Sequence, residues 1–195
     1  MDDIKKLIAS LALKRGRAVA KSDPIYESRK EAVDSESSMN TAKNPKDFDK
    51  QKKACMTSVE SGEKAVKPWQ KEMDDWEQAI AELEKEIKAG QDMIAQKVRE
   101  AEAVNKAIDE VNAKIKKHNN DLILGERDPR AQPYVEKSNA ISKLSDTTVA
   151  VVEAMALAKA ERTTLNNQKE WIAKPIKELG EIKGRVPKAK FKSPK

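Results

Sequence analysis

Apolar residues recur at every seventh position through the middle of the chain, and a second series follows three or four positions away. This spacing places both series along one face of a helix and is typical of helices that pack against each other. Because the pattern holds for eight heptads without a slip, the sequence predicts one long helix. The first series is Met73, Ile80, Ile87, Ile94, Ala101, Ile108, Ile115 and Leu122; the second is Trp69, Trp76, Leu83, Gly90, Lys97, Val104, Val111 and His118.

The predicted long helix begins at Pro45 and ends at Leu124. Asn44 is a good N-cap, proline is favourable at the first helical position, and Asp47 puts an acid in the first turn. Pro68 removes one backbone donor and clashes with the preceding turn, so a kink or short break is expected there.

A polar connection at residues 125–133 is expected to turn the chain back. A second, less regular heptad set then predicts a return helix, which Pro175 kinks or ends. The result is an antiparallel hairpin in which residue i lies near residue 257 − i. The series of the return helix are Leu144, Val151, Ala158, Leu165, Ile172 and Leu179, and Tyr134, Ile141, Thr148, Met155, Arg162, Lys169 and Ile176.

The N-terminal segment is expected to pack against this hairpin. Residues 3–21 carry an apolar stripe, Asp23 and Pro24 are read as the start of a short helix, and residues 35–43 as a loop. The return helix is apolar almost all round between Thr147 and Ala160, so it needs neighbours on two sides. The predicted fold is all-α: an elongated antiparallel coiled-coil hairpin with N-terminal helices packing into a partial three- or four-helix bundle. The predicted divisions are N-terminal helices and loop 1–43, hairpin 44–182 and disordered basic tail 183–195.

Composition supports a helical protein, and the distribution of charged residues shows that the net charge comes from the C-terminal tail. Charged residues make up 37% of the chain and aromatic residues 4%, which disfavours β-sandwich and doubly wound α/β folds. The net charge is +6, from 39 bases and 33 acids. Six of those bases lie in the tail, which has no acid, so the remainder is neutral. Tails of this kind bind polyanions through phosphate contacts, and nucleic acid is therefore one candidate partner. The tail bases are Lys183, Arg185, Lys188, Lys190, Lys192 and Lys195.

The lone cysteine and the lack of long apolar runs bear on the compartment. Cys55 excludes an intrachain disulfide and fits a reducing environment, as a small apolar residue of the seam. No run approaches the roughly 18 apolar residues of a membrane-spanning helix, and bases interrupt the only signal-like stretch. The expected location is the cytoplasm, or outside the cell by export without a cleaved signal peptide.

No pattern of reactive residues points to catalysis. His118 is the only histidine and occupies a seam position, which favours a structural role over acid–base chemistry. One histidine and one cysteine far apart offer no metal-ligand spacing, and no glycine-rich phosphate loop is present. We expect no enzyme activity, no metal and no cofactor.

Four large apolar residues are candidate partner anchors. In the predicted register Trp69 and Trp76 lie beyond the end of the return helix. They are covered either by the N-terminal segment or residues 176–182, or by a protein partner or a second copy of the chain. Ile123 and Leu124 exceed what the seam needs at the hairpin tip. They form either a small capping cluster or a docking point.

A weak place in the seam is predicted at Gly90 and Lys97. The register brings them opposite Arg162 and Lys169, and like charges cannot pack well on an apolar seam. The region is either a locally solvated seam or a hinge.

The predicted function is non-enzymatic. The chain is expected to be a scaffold, adaptor or structural module that binds protein partners through helical faces or the hairpin tip, in a larger assembly or as a homo-oligomer. One alternative is nucleic-acid binding through the basic tail. Another is a membrane-active protein whose bundle opens to expose the apolar face at residues 147–160.

Overall fold

The chain is all-α, as the heptad pattern predicts. The computed structural model describes residues 2–117 and 132–192. It contains the helices α1 (Asp2–Asn40), α2 (Pro45–Lys117) and α3 (Gln132–Arg185), followed by a short 3-10 helix, Val186–Lys188. Neither described stretch contains a strand, and no described helix has an apolar stretch of the length that a bilayer crossing requires. Gln132 and Pro133, the last two residues of the predicted turn at 125–133, belong to α3 instead. The rest of that turn, the tip residues Ile123 and Leu124, and His118 lie outside the described residues.

The start of α2 is the one that its sequence predicts. The backbone N–H of Asp47 donates to Asn44 Oδ1 at 2.9 Å, and Asn44 Nδ2 donates to Asp47 Oδ2 at 2.7 Å. These bonds satisfy a free donor of the first turn and fix the cap.

Three prolines lie inside helices, where the sequence predicts interruptions. α1 passes through Pro24 as one helix, so the predicted separate helix and the loop beginning at residue 35 are wrong; α1 ends at Asn40. α2 shows no break at Pro68, and Pro175 does not end α3. A proline costs about 3 kcal/mol in a helix interior. Tertiary packing offsets this cost, since Ser22 and Ile25 beside Pro24 are both buried.

The contacts group the chain into two units, whereas the sequence divides it at residues 43 and 182. Unit 1 contains Met1–Lys6 and Glu82–Ala158; unit 2 contains Leu7–Ala81 and Lys159–Lys195. In unit 2, three helices pack together: α1 runs antiparallel to α2 and parallel to α3. Unit 1 is built mainly from α2 and α3, which are antiparallel there.

The core of the chain consists of heptad series. The first predicted series of α2 is buried or half-buried at every position from Met73 to Ile108. In its second series, Lys97 and Val104 are exposed. α1 buries a heptad series that begins with Ile4 and Leu11 of the predicted N-terminal stripe and continues to the end of the helix, which was not predicted. The series is Ile4, Leu11, Ala18, Ile25, Ala32 and Met39.

α3 buries one of its predicted series and exposes the other. The series from Leu144 to Leu179 faces the core and continues to Val186. The companion series predicted from Ile141, Thr148 and Met155 is wrong, since these three are exposed. The structure uses the series one position earlier, which includes polar residues: Thr147, Ala154, Glu161, Gln168, Pro175 and Ile182.

The pairing register of α2 and α3 also differs from the prediction. The predicted register pairs Gly90 with Asn167, but the Cβ direction of Gly90 meets Val151, sixteen positions earlier. In unit 2, Gly62 meets Leu179, again sixteen positions before the partner that the rule 257 − i assigns. Both glycines permit a close approach of α3 that a side chain would obstruct.

Candidate functional site

Trp76 and Trp69 are core residues of unit 2, so they are covered from within the chain, the first of the two predicted alternatives, and are not exposed as partner anchors. Trp76 is 0% exposed and Trp69 4% exposed. Trp76 Nε1 donates to Glu161 Oε2 at 3.0 Å, and Arg15 Nη1 lies 2.6 Å from the other carboxylate oxygen. The shifted register brings α3 over Trp76, and α1 supplies Arg15. In the described chain, Trp69 Nε1 is buried without a hydrogen-bond partner.

The like-charge clash that suggested a hinge at Gly90 and Lys97 does not occur. Lys97 pairs with Glu100 on its own helix at 2.6 Å. Arg162 and Lys169 both lie beside Glu77, with Lys169 Nζ 2.7 Å from that carboxylate. The premise of the hinge is therefore wrong.

The exposed series of α3 forms a surface of three apolar and two hydroxyl-bearing residues in unit 1. We call it the outer stripe; it consists of Ile141, Ser145, Thr148, Val152 and Met155. Its members are spaced four, three, four and three apart, which is the spacing of a helix-packing seam. Val149 lies beside it and is also exposed. The outer stripe therefore repeats, on the solvent side of α3, the pattern by which this helix packs on α2.

A groove of about 410 Å³ in unit 1 is formed by α2 and α3. Met93, Ile94 and Lys97 line it from α2, while Ala140 and Leu144 belong to the α3 side. Met93 is exposed and Ile94 half-buried. Apolar side chains of a further helix would find contacts here.

Trp171 is the large aromatic residue that sequence reasoning missed. Its side chain is 68% exposed, and it lies one position before the buried seam residue Ile172. The ring meets that of Tyr26 edge-on, with centroids 5.7 Å apart. The sequence did hold a signal for its exposure: Trp171 lies next to a seam position, and consecutive residues of a helix point in different directions.

The basic segment 183–192 is packed against other residues of unit 2, so the predicted disorder is wrong for this segment. α3 extends to Arg185, which pairs with Glu36 at 2.5 Å, and Lys183 pairs with Glu63 at 2.8 Å. Val186 is fully buried. The pairs and this apolar contact fix the segment. Lys195, the last predicted tail base, lies outside the described residues.

The C-terminal segment borders a second groove, of about 490 Å³. Phe48 and Phe191 meet edge-on in it, with ring centroids 5.9 Å apart. Lys52 Nζ donates to the carbonyl oxygens of Pro187 at 2.8 Å and Ala189 at 2.9 Å. The groove is lined by Met39, Asn40, Ala42, Phe48, Lys188, Ala189, Lys190, Phe191 and Lys192.

Cys55 lies in the core of unit 2 and its thiol donates to the carbonyl oxygen of Ala32 at 3.2 Å. Burial raises the pKa of this thiol, the carboxylate of Glu36 raises it further, and Arg185 partly opposes both. A buried thiol with a raised pKa is a poor nucleophile. Across residues 2–117 and 132–192, no three potential ligands among His, Cys, Asp and Glu are grouped to hold a metal.

Comparison with known protein families, with curated proteins and with solved structures finds no match to this chain. The candidate sites therefore rest on the geometry alone: the outer stripe with its adjoining groove in unit 1, and the lysine-lined groove in unit 2.

Proposed function

We propose that this protein is a non-enzymatic scaffold or adaptor that binds an amphipathic helix of a protein partner on the outer stripe. The observation that carries the proposal is the exposure, at seam spacing, of Ile141, Ser145, Thr148, Val152 and Met155. Three of these five are apolar, and their alternating three- and four-residue intervals match the side chains of another helix, which repeat at the same interval.

A contrast between the two units supports a helical occupant. In unit 2, α2 and α3 pack with α1, and the side chains at their contacts are buried. In unit 1, α1 contributes its first five residues, Asp2 to Lys6. The solvent side of α3 there exposes Val149 and Val152, at 55% and 58%. A partner helix would bury them as α1 buries its neighbours in unit 2.

Charge indicates which helix fits. Between Ile141 and Met155 the charged residues are Lys143, Asp146 and Glu153, in a chain that is 37% charged. Lys143 lines the groove between α2 and α3, and the other two are acidic, so a partner with basic residues beside its apolar seam is complementary to Asp146 and Glu153. Two antiparallel copies centred between Val149 and Ala150 would instead bring Asp146 of each chain opposite Glu153 of the other. This disfavours a second copy in that arrangement.

Two designed helical peptides of about three heptads test the proposal, with identical Ile and Leu seams and either Lys or Glu beside the seam. We expect the Lys-flanked peptide to bind the full-length protein about tenfold more tightly. Val152→Glu should weaken that binding by about tenfold, because it puts a charge in the seam. The matched control is Val98→Glu on α2, a valine that is 40% exposed and outside the outer stripe.

Three results would contradict the proposal. Equal losses of peptide affinity in Val152→Glu and Val98→Glu would show that an added negative charge weakens binding wherever it lies on the protein. Concentration-dependent self-association that Val152→Glu abolishes, without peptide binding, would assign the stripe to a second copy. Flotation with anionic vesicles that is lost in Val152→Glu, again without peptide binding, would assign it to a membrane surface.

A further inference from the structure

We propose that the lysine-lined groove of unit 2 binds single-stranded nucleic acid, with phosphates on Lys188, Lys190 and Lys192 and a base against Phe191. This site is independent of the outer stripe. It consists of the C-terminal segment, residues 186–192, together with Phe48 and the end of α1.

The C-terminal segment has a fixed conformation that presents its lysines. After the 3-10 helix, residues 189–192 are non-helical, and Ala189 has extended backbone angles. Two hydrogen bonds from Lys52 hold the carbonyls of Pro187 and Ala189. Phe191 is packed edge-on against the buried ring of Phe48. The segment is therefore a preorganised surface, which reduces the entropy lost when a ligand binds.

Exposure alternates along this segment. Lys188, Lys190 and Lys192 are exposed, whereas Ala189 and Phe191 are half-buried. Lys188 ends the 3-10 helix and Ala189 continues in extended backbone. Because the three lysines all line the same groove, they form a short basic row that can contact neighbouring phosphates of one strand.

The charge of this row is not neutralised in the described part of the chain. Lys183 and Arg185 each have a carboxylate partner. No described carboxylate lies within ion-pair distance of Lys188, Lys190 or Lys192. An anionic ligand therefore gains these three contacts without displacing an existing ion pair.

Aromatic and apolar side chains beside the lysines favour nucleic acid over an acidic peptide. Phe191 is partly accessible, and Met39 and Ala42 line the same groove. A volume of about 490 Å³ admits a planar base. Proteins that bind single strands combine a basic path for the backbone with aromatic rings for the bases. A duplex has its bases stacked internally and cannot supply that second contact.

Fluorescence anisotropy with a labelled oligothymidylate of about 12 nucleotides tests the proposal on the full-length protein. Three phosphate contacts predict a slope of log K against log salt of about −2. The triple variant Lys188→Gln, Lys190→Gln, Lys192→Gln should lose about tenfold or more in affinity and most of this slope. The matched control removes the same charge from α2 at Lys46, Lys50 and Lys53, which do not line the groove, and should change affinity less than about twofold.

The stacking contact has its own test. Phe191→Leu should lose roughly fivefold in affinity for the oligothymidylate with its salt slope unchanged, since it removes a ring and no charge. An abasic phosphodiester of the same length should bind wild-type protein with a similar loss, and this holds even if Phe191→Leu does not fold.

Three outcomes would overturn the proposal. Equal losses from the two lysine triples would mean that only overall charge matters. Equal binding of the abasic and the natural strand would remove the base contact. Equally tight binding of polyglutamate would assign the groove to acidic protein segments.

Discussion

Trp76 on α2 donates its indole N–H to the buried carboxylate of Glu161 on α3, across 3.0 Å. Glu161 occupies a seam position and is only 3% exposed. Its second oxygen is bound by Arg15 of α1 at 2.6 Å. One polar group therefore joins all three helices of unit 2, and it fixes their register because a shift of any helix would leave a buried polar group unpaired.

The first prediction concerns Arg15. Arg15→Met keeps much of the aliphatic stem but leaves the Glu161 carboxylate with Trp76 alone. We expect the free energy of unfolding to fall by about 1–2 kcal/mol, less than for a fully buried pair because Arg15 is 44% exposed. Urea denaturation measures this change. Arg17→Met, two residues along the same helix, is the control and should change stability by less than about 0.5 kcal/mol.

A second prediction compares alanine substitution at Gly90, which faces Val151, with alanine substitution at Gly16, which has open space around it. A methyl group on Gly90 would lie 2.7 Å from Val151 Cγ2, in a side chain that is stiff and buried. Overpacking of this kind costs about 1–3 kcal/mol, more than the roughly 1 kcal/mol that alanine gains in helix propensity. Gly90→Ala should therefore destabilise, whereas Gly16→Ala, with nothing within 4 Å, should stabilise by about 0.5–1 kcal/mol.

Removing the obstructing side chain should reverse the effect at Gly90. In a Val151→Ala background, Gly90→Ala is expected to raise the free energy of unfolding. The comparison is a double-mutant cycle measured by chemical denaturation. If Gly90→Ala destabilises equally in both backgrounds, contact with Val151 is not the cause.

The third prediction concerns the tryptophans. Trp171 is exposed, while Trp69 and Trp76 are buried. Acrylamide should quench mainly Trp171, so Trp171→Phe should remove most of the quenchable emission and Trp76→Phe should leave it in place. Substantial quenching that persists in Trp171→Phe would show that a core tryptophan is accessible to solvent.

The helices were predictable wherever apolar residues occupy the seam. The series that begins at Met73 carries methionine, isoleucine or alanine at its positions from 73 to 108, so its period is clear in the sequence. The seam of α3 was misassigned because Glu161 and Gln168 occupy it. Their side chains bind Trp76 and Ser22, residues distant in sequence, and no local pattern reveals such partners.

The candidate surfaces were predicted less well than the helices, for related reasons. The series of Ile141 and Met155 was assigned to the core, so its exposure was not predicted. The C-terminal lysines were identified as a possible nucleic-acid contact, but they were expected to lie in a disordered tail rather than in a fixed conformation. Their fixed conformation depends on Lys52 and Phe48, which are more than one hundred residues away. Pro24 was read as the start of a new helix, Pro68 as a kink or break and Pro175 as a kink or end, because local propensity omits tertiary packing.

A final prediction concerns alkaline pH and Cys55. Burial and the Glu36 carboxylate hold the pKa of this thiol above its ordinary value in the folded protein. The folded state therefore keeps its proton at a pH where the unfolded chain has lost it. The stabilisation is complete below the unfolded pKa, near 9.0. It declines as pH rises above that value and is lost as pH passes through the higher folded pKa.

The free energy of unfolding of the wild-type protein should consequently fall above about pH 9. Tyr26 adds to the fall at still higher pH, because burial also raises the pKa of its hydroxyl. Cys55→Ala should be less stable at pH 7, since it loses the packed sulfur and its bond to Ala32, but its stability should decline less between pH 8 and pH 10. Urea denaturation at each pH measures both slopes. Identical slopes would show that the thiol of Cys55 ionises alike in the folded and unfolded chain.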